Sequence, residues 1–461
     1  MSDPEVGAVV AGAGIAGLAA ALQLQLAGED VLVVDASDRP GGVMRTDHVS
    51  GYVIERGPNT TYVKAPMLDF IRTLGAEKSL LAAQPASRLR WIYDAGRLLP
   101  VPMSPLALLR TPLLSAGGKL RMFAEPLIRR SNAVDESVAE FMGRRLGKQV
   151  VEGLVGPFLT GVYAGDERQL GAEAVFPSLV EMERRSGSIV IGAFAGLFRR
   201  RPRGLRGSYS AAEGLGPFAR SLAERLVEPV ALENRVTAVR CDGDRWLVRT
   251  SGPAGESRVR ANRVVLSVPA DQAAEILRGV SSDLADDLSA IEYAPIVGIP
   301  LGVDPSAVRE KIEGFGFLVP RRAELKLLGC LYMSQLFPSR APDGRELLQC
   351  LVGGRRWPEA VELPDDEIVE QVCGDLDQIL GLREEPRVLA VTRWRQAIPQ
   401  PRRDHVARIA RVRKRLAEFP NIALAGAYLG GISVSDAFES GLIAARDVTP
   451  PEHQTPAIEP D

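Results

Sequence analysis

The chain has 461 residues, about three domain-lengths at roughly 150 residues each. Apolar residues make up 46% and charged residues 25%, which excludes a disordered or fibrous chain, and a formal net charge of −2 gives no electrostatic support for general nucleic-acid binding. Four cysteines (Cys241, Cys330, Cys350, Cys373) without a CxxC, and three histidines (His48, His405, His453) outside ligand-like spacing, leave no basis for a disulfide framework or a metal site.

The N-terminal MSDPEV lacks a basic n-region, so no signal or transit peptide is expected. Residues 6–28 run without a charge, long enough to span a bilayer. Gly7, Gly12, Gly14 and Gly17 interrupt them, so a buried strand followed by a buried helix is the expectation. A soluble protein, held to a membrane surface at most, follows from that reading. Residues 6–11 read as an interior strand, 18–27 as a helix and 31–35 as a second buried strand ending in Asp35. Between them lies Gly12-Ala13-Gly14-Ile15-Ala16-Gly17. Gly12 permits the tight turn, Gly14 lets backbone approach a pyrophosphate, and Gly17 lets helix and strand pack closely. Phosphates sit on the free N–H groups at the positive end of the helix. Asp35 accepts ribose hydroxyls and disfavours a 2′-phosphate, so the expected ligand is FAD or NAD.

Arg39-Pro40-Gly41-Gly42 and the segment from Gly51 to Gly57-Pro58-Asn59, taken alone, are two turns joined by a hairpin strand. After a dinucleotide fingerprint the arrangement resembles the flavin amine-oxidase superfamily. That resemblance implies FAD, with Ala36, Arg39, Gly42, Val43, Gly57, Pro58, Asn59 and Thr60 along the cofactor. Gly214-Leu215-Gly216 follows no buried strand and reads as a helix start. Without a second dinucleotide loop, an oxidase fits better than an NAD(P)H-dependent reductase. Residues 235–239 and 246–250 read as strands of a meander, with Val236 in the implied cofactor set. Residues 263–268 resemble the superfamily strand that returns to the FAD domain. Residues 421–428 read as a strand entering a loop, and 437–446 as a helix that Asp436 caps. The superfamily places the segment holding Tyr428, Ile432, Ser433 and Val434 at the flavin pyrimidine edge. A helix N-terminus there stabilises the anionic reduced flavin. Ala427 replaces the superfamily's usual acid.

Four later blocks narrow the resemblance: GVYAGD at 161–166, GFGFLVP at 314–320, LVGGR at 351–355 and AIPQ at 397–400. From about residue 7 to about residue 447 the chain resembles the oxygen-dependent protoporphyrinogen oxidase family, including its coproporphyrinogen-oxidising relatives. This implies that Arg90 pairs with a substrate propionate and that Phe315 and Leu318 sandwich a pyrrole. Leu351 completes the apolar wall, and the Gly161 carbonyl lies near the reacting methylene. It also implies three two-electron oxidations of a porphyrinogen by FAD, each followed by reoxidation by oxygen with release of hydrogen peroxide. No dedicated strong base is needed, because electron-rich pyrroles stabilise the cation left by hydride loss. Asp35 stands where the family more often has Glu, and Pro401-Arg402-Arg403-Asp404 departs from the family's pattern after AIPQ.

The expected fold class is α/β (α+β overall). A discontinuous Rossmann-like FAD-binding domain occupies 1–65, 207–280 and 406–448, and a mixed-sheet substrate domain occupies 66–99 and 281–405. A mostly helical insert fills 100–206, and 449–461 is a Pro-rich, disordered tail. The basic cluster at 199–203 and the apolar residues of the insert suit either a membrane-contacting face or a solvated lid. The substrate reading is protoporphyrinogen IX, with coproporphyrinogen III as the alternative. The implied setting is cytoplasmic, at or near the membrane, with a homodimer and product transfer to a ferrochelatase among the family's habits. Competing readings are an amine oxidase, against which Lys311 and Lys326 lack a matching motif, a carotenoid desaturase, and a non-catalytic porphyrin-binding flavoprotein.

Overall fold

A computed structural model describes residues 3–131, 133–196, 204–205 and 207–449. The basic cluster at 199–203 and the tail from 450 onward lie outside the described residues.

Three distant segments share the first, six-stranded sheet. Glu5–Ala11 lies between Val31–Val34 and Gly255–Leu266, parallel to both. Its apolar run is continuous because both faces are covered, with Ala8, Val9 and Val10 each at 0% exposure. Gly255–Leu266 opens as an antiparallel hairpin with Arg245–Gly252, beyond which lies Arg235–Asp242. Its last residues then pair in parallel with Ile422–Leu424. Helices Ile15–Leu26, Ala65–Thr73, Leu215–Ala223 and Val434–Val448 bury one face of this sheet. Ala270–Leu277, Ser282–Ser289 and His405–Leu416 bury the other. The charge-free run at 6–28 is thus a strand and a helix. Among the described residues no helix is long and apolar enough to cross a membrane.

The second sheet has eight strands, ordered Arg387–Val388, Tyr293–Val303, Glu346–Gly353, Leu327–Tyr332, Gly316–Leu318, Trp91–Asp94 and Arg97–Pro100, with Thr392–Pro399 also on Tyr293–Val303. Only Gly316–Leu318 with Trp91–Asp94 is a parallel pair. Helix Asp365–Leu380 covers one face through Ile299, Phe317, Cys330, Cys350 and Val352. A buried Glu55–Arg340 pair joins segments outside both sheets: Glu55 accepts from the Leu215 N–H (2.9 Å), while Arg340 donates to Ser210 Oγ and the Ala211 carbonyl (both 2.8 Å).

The stretch between the Arg97–Pro100 strand and residue 196 is mostly helical. Its core holds Arg145 paired with Glu125, both at 0% exposure. Glu125 also accepts from the N–H groups of Ile189 (2.9 Å) and Val190 (3.2 Å), so the buried charges are hydrogen-bonded as well as paired.

Candidate active site

The cofactor segments meet at the C-terminal edge of the first sheet. Gly12 has φ +100°, where a side chain is strained, and a methyl group on Gly17 would overlap the Gly12 carbonyl. Gly14 is different: no heavy atom lies within 4 Å of where its Cβ would stand. It opens onto free space at the start of helix Ile15–Leu26, which has no side-chain cap and no acid in its first turn. The N–H groups of Ile15, Ala16 and Gly17 lie in that first turn and have no intrahelical acceptor. The next loop stacks on this turn, with the Gly41 N–H donating to the Ala13 carbonyl (2.8 Å) and Gly42 beside Gly14. The Arg39 guanidinium donates to the carbonyls of Pro40, Gly42 and Met44, so its side chain shapes its own loop.

Asp35 accepts from the N–H groups of Ala13 (2.6 Å) and Ser37 (2.8 Å). The Ser37 hydroxyl donates to the same carboxylate, so three of its roughly four acceptor positions are taken and one is left for a ribose hydroxyl. Ala36 beside it is exposed. The Asn234 N–H donates to the Asp35 carbonyl (2.8 Å), which brings the strand carrying buried Val236 alongside. Gly57 abuts the Val43 carbonyl, with no room for a methyl group. Pro58, Asn59 and Thr60 follow, and Asn59 Oδ1 is buried without a partner among the described residues.

The last helix begins earlier than the apolar pattern predicts, and Asp436 is not its cap. Ser433, with extended φ −76° and ψ 158°, is the N-cap. It accepts from the Asp436 N–H (3.1 Å), while the Asp436 carboxylate accepts from the Ser433 N–H (3.1 Å), a reciprocal capping box. Lys64 joins it from the Thr60 side, its N–H donating to Ser435 Oγ (3.1 Å) and its ammonium paired with Asp436. Ile432, Ser433 and Val434 therefore stand beside the Gly57 segment. Tyr428 turns its ring under Gly426 and buries a hydroxyl without a partner among the described residues; burial pushes that phenol well above its usual range. The open space at Gly14, the uncapped helix, the spare acceptor of Asp35 and the unpaired Asn59 oxygen fit FAD.

The second sheet supplies the substrate side. Leu318, Gly329, Leu351 and Gly298 stand directly opposite one another on four consecutive strands. Residues in register share a face, so Leu318 and Leu351 rise together with glycine gaps beside them. Helix Gly156–Tyr163 sits on this face, with Gly161 against Leu318. Sequence spacing would put Phe315 on the opposite face from Leu318. Gly316, at φ +128°, turns the chain so that Phe315 packs against the same buried cluster as Leu331. Arg90 lies 4.7 Å over the Phe315 ring and donates to Tyr62 Oη (3.1 Å). Its Nε is buried without a partner, and among the described residues it forms no ion pair.

The signature blocks lock onto one another. Gln400 donates through Nε2 to the Tyr163 carbonyl (2.8 Å), and the Arg355 N–H donates to the Ala164 carbonyl (2.8 Å). Both bonds satisfy carbonyls at the end of the helix carrying Gly161. The departing loop after AIPQ is anchored too, the Gly171 N–H donating to the Pro401 carbonyl (2.8 Å). Lys311 is exposed and paired with Glu313, and Lys326 lies 5.0 Å over Trp357. Sequence reasoning missed Lys64, Ser435 and the capping role of Gln400. The Ser433-x-x-Asp436 spacing was the available signal for the first two.

The family model for flavin-containing amine oxidoreductases matches residues 15–449. The chain is 33% identical to a chloroplastic protoporphyrinogen oxidase of Oryza sativa subsp. japonica over 471 residues, covering 96% of this chain and 88% of that protein. It is 28% identical to the coproporphyrinogen III oxidase of Bacillus subtilis (strain 168), covering 97% and 98%. A crystal structure described as a candidate protoporphyrinogen oxidase from Exiguobacterium sp. 255-15 superimposes with TM-score 0.80 at 27% identity, covering 97% of this chain and 99% of that one.

Proposed function

Because the chain belongs to the flavin-containing amine oxidoreductase family, on its protoporphyrinogen and coproporphyrinogen oxidase branch, we propose that it oxidises a porphyrinogen to the porphyrin. The supporting observation is an apolar face of Leu318 and Leu351, closed by the Gly161 helix, with Arg90 free of a carboxylate partner beside it. Such a site suits a flat, greasy macrocycle bearing carboxylate arms. FAD held by the cofactor segments would supply a two-electron acceptor for methylene-bridge hydride and would pass the electrons on to oxygen as peroxide.

The chain's own residues position the ring and shape the field around it. Arg90 holds a propionate by charge-assisted hydrogen bonds, with its guanidinium already placed over Phe315 and its Nε buried. Leu318 and Leu351 flank a pyrrole and exclude water. The Gly161 carbonyl is among the last four of its helix and receives no hydrogen bond from a described residue. It turns partial negative charge toward the carbon that becomes cationic as hydride leaves. Backbone does this work, so no acidic or basic side chain is required. Gly14, the following N–H groups and Asp35 hold the pyrophosphate and adenosine ribose.

Protoporphyrinogen IX is the substrate we favour, with coproporphyrinogen III as the second reading; Arg90 is the cation we assign to a propionate. The helical segment supports peripheral membrane contact from the cytoplasmic side: Leu120 is 73% exposed and Leu127 86%, near Arg129 and Arg130 in sequence. Serine at both leucines should reduce sedimentation with anionic vesicles while leaving turnover in detergent unchanged. The defining test counts products: three peroxides should appear per porphyrin formed. Porphyrin bound without peroxide would instead indicate a carrier.

A further inference from the structure

The sheet face under the proposed substrate carries one polar side chain that the account above leaves idle. Gln349, on strand Glu346–Gly353, is 3% exposed, and among the described residues no hydrogen bond reaches its carboxamide, whose polar atoms keep a small opening rather than being sealed in. An amide this far from bulk water and without a protein partner calls for an explanation. Its direction is fixed by strand alternation. Leu348, Cys350 and Val352 enter the core beneath helix Asp365–Leu380, so Gln349 and Leu351 emerge together on the opposite face. Gly298, one strand away, agrees: a Cβ there would stand 2.8 Å from Gln349 Nε2 and 3.8 Å from Leu351 Cδ2. The cross-strand neighbours of Gln349 are Leu331 and Pro300, and Leu331 packs against the same cluster as Phe315. The amide therefore lies on the same sheet face as the residues assigned to the macrocycle.

We propose that Gln349 binds the substrate, its carboxamide oxygen accepting a hydrogen bond from a pyrrole N–H of the reduced macrocycle. The inference rests on the porphyrinogen reading and deepens it. The surroundings select the class of partner. A carboxylate needs a cation or several donors to leave water, whereas Leu331, Pro300 and Leu351 offer none. A neutral carboxamide among apolar side chains suits a neutral donor. The reduced ring presents four N–H groups, and these are common to porphyrinogens with two or four propionates.

The test compares wild type with Gln349→Leu on protoporphyrinogen IX and coproporphyrinogen III, at matched FAD content by absorbance. Removing one such hydrogen bond should raise KM about fivefold on whichever substrates the wild type accepts, with kcat changed less than about twofold. Gln349→Asn, which keeps the amide one methylene shorter, should recover part of the loss. If the leucine variant loses FAD, Gln349→Met is read by the same criteria. An unchanged KM overturns the proposal. So does a change confined to the tetrapropionate substrate when both are turned over, because it would mean the amide reads a carboxylate. A wild type that accelerates neither oxidation instead removes the porphyrinogen reading on which the proposal stands.

Discussion

Gly161 and Leu318 meet so closely, across the helix and the second sheet, that a methyl group at position 161 would overlap Leu318 Cδ2. The contact links two blocks that lie far apart in the chain, and it sets how near the Gly161 carbonyl comes to the face that Leu318 shares with Leu351. A contact this close makes the packing of Leu318 sensitive to any atom added at position 161.

Gly161→Ala should therefore push the end of the Leu318 side chain into the substrate space. Overpacking of this kind costs about 1–3 kcal/mol, so kcat/KM should fall about tenfold or more, mainly through KM. Leu318→Ala alone should also weaken binding by removing one wall. In the double variant the losses should be less than additive, with a coupling energy of about 1 kcal/mol. Strict additivity would mean the two residues do not act through their contact.

Two glycines of the nucleotide turn should separate folding from cofactor binding. Gly14→Ala meets no atom within 4 Å, so thermal stability of the flavin-free protein should be unchanged while flavin content falls sharply. Gly17→Ala collides with the Gly12 carbonyl and should lower both. Flavin absorbance and the unfolding midpoint, read on the same preparations, check this. Full flavin loading of Gly14→Ala would contradict the assignment of that space to the pyrophosphate.

Arg90 offers a charge over an aromatic ring. Hydrogen bonds to a charged partner are worth about 1.5–3 kcal/mol, so Arg90→Ala should raise KM for a porphyrinogen about tenfold to a hundredfold. Arg90→Lys should restore only part, because an ammonium cannot reproduce the planar fork and its stacking on Phe315. A lysine variant equal to wild type would show that Arg90 contributes charge alone.

His405 is buried at the start of helix His405–Leu416 and hydrogen-bonds the Tyr428 backbone; burial holds its imidazole below the usual histidine value of 6.5. The unfolded chain then binds a proton more readily than the folded one. Stability should be full above about pH 6.5 and decline as pH falls from there through the lowered folded value. His405→Gln should flatten that decline in unfolding midpoints measured from pH 8 to 5. An unchanged slope would show that other groups set it.

The cofactor half was readable from the sequence because its determinants are local. Gly12, Gly14, Gly17 and Asp35 fix a strand, a turn and a helix within one short stretch, and the structure places them as the pattern predicts. The details that escaped depend on register between distant strands. Nothing in LLQCLVG says that Gln349 and Leu351 share a face with Leu318, because that follows from pairing with Leu327–Tyr332 and Tyr293–Val303. The positive φ of Gly316, which moves Phe315 to the useful side, is likewise invisible until the strand is laid in its sheet. The reading of Asp436 as a cap failed for a smaller reason: the helix starts at Val434, so the acid falls in its first turn and Ser433 takes the cap.

The most direct test of the central claim is aerobic turnover of the purified, FAD-loaded protein on protoporphyrinogen IX and coproporphyrinogen III side by side. Porphyrin fluorescence is followed and corrected for spontaneous oxidation. The account predicts a clear excess rate on at least one of them, greater on protoporphyrinogen. No acceleration of either, with FAD bound, would contradict it and turn attention to amines and carotenoids.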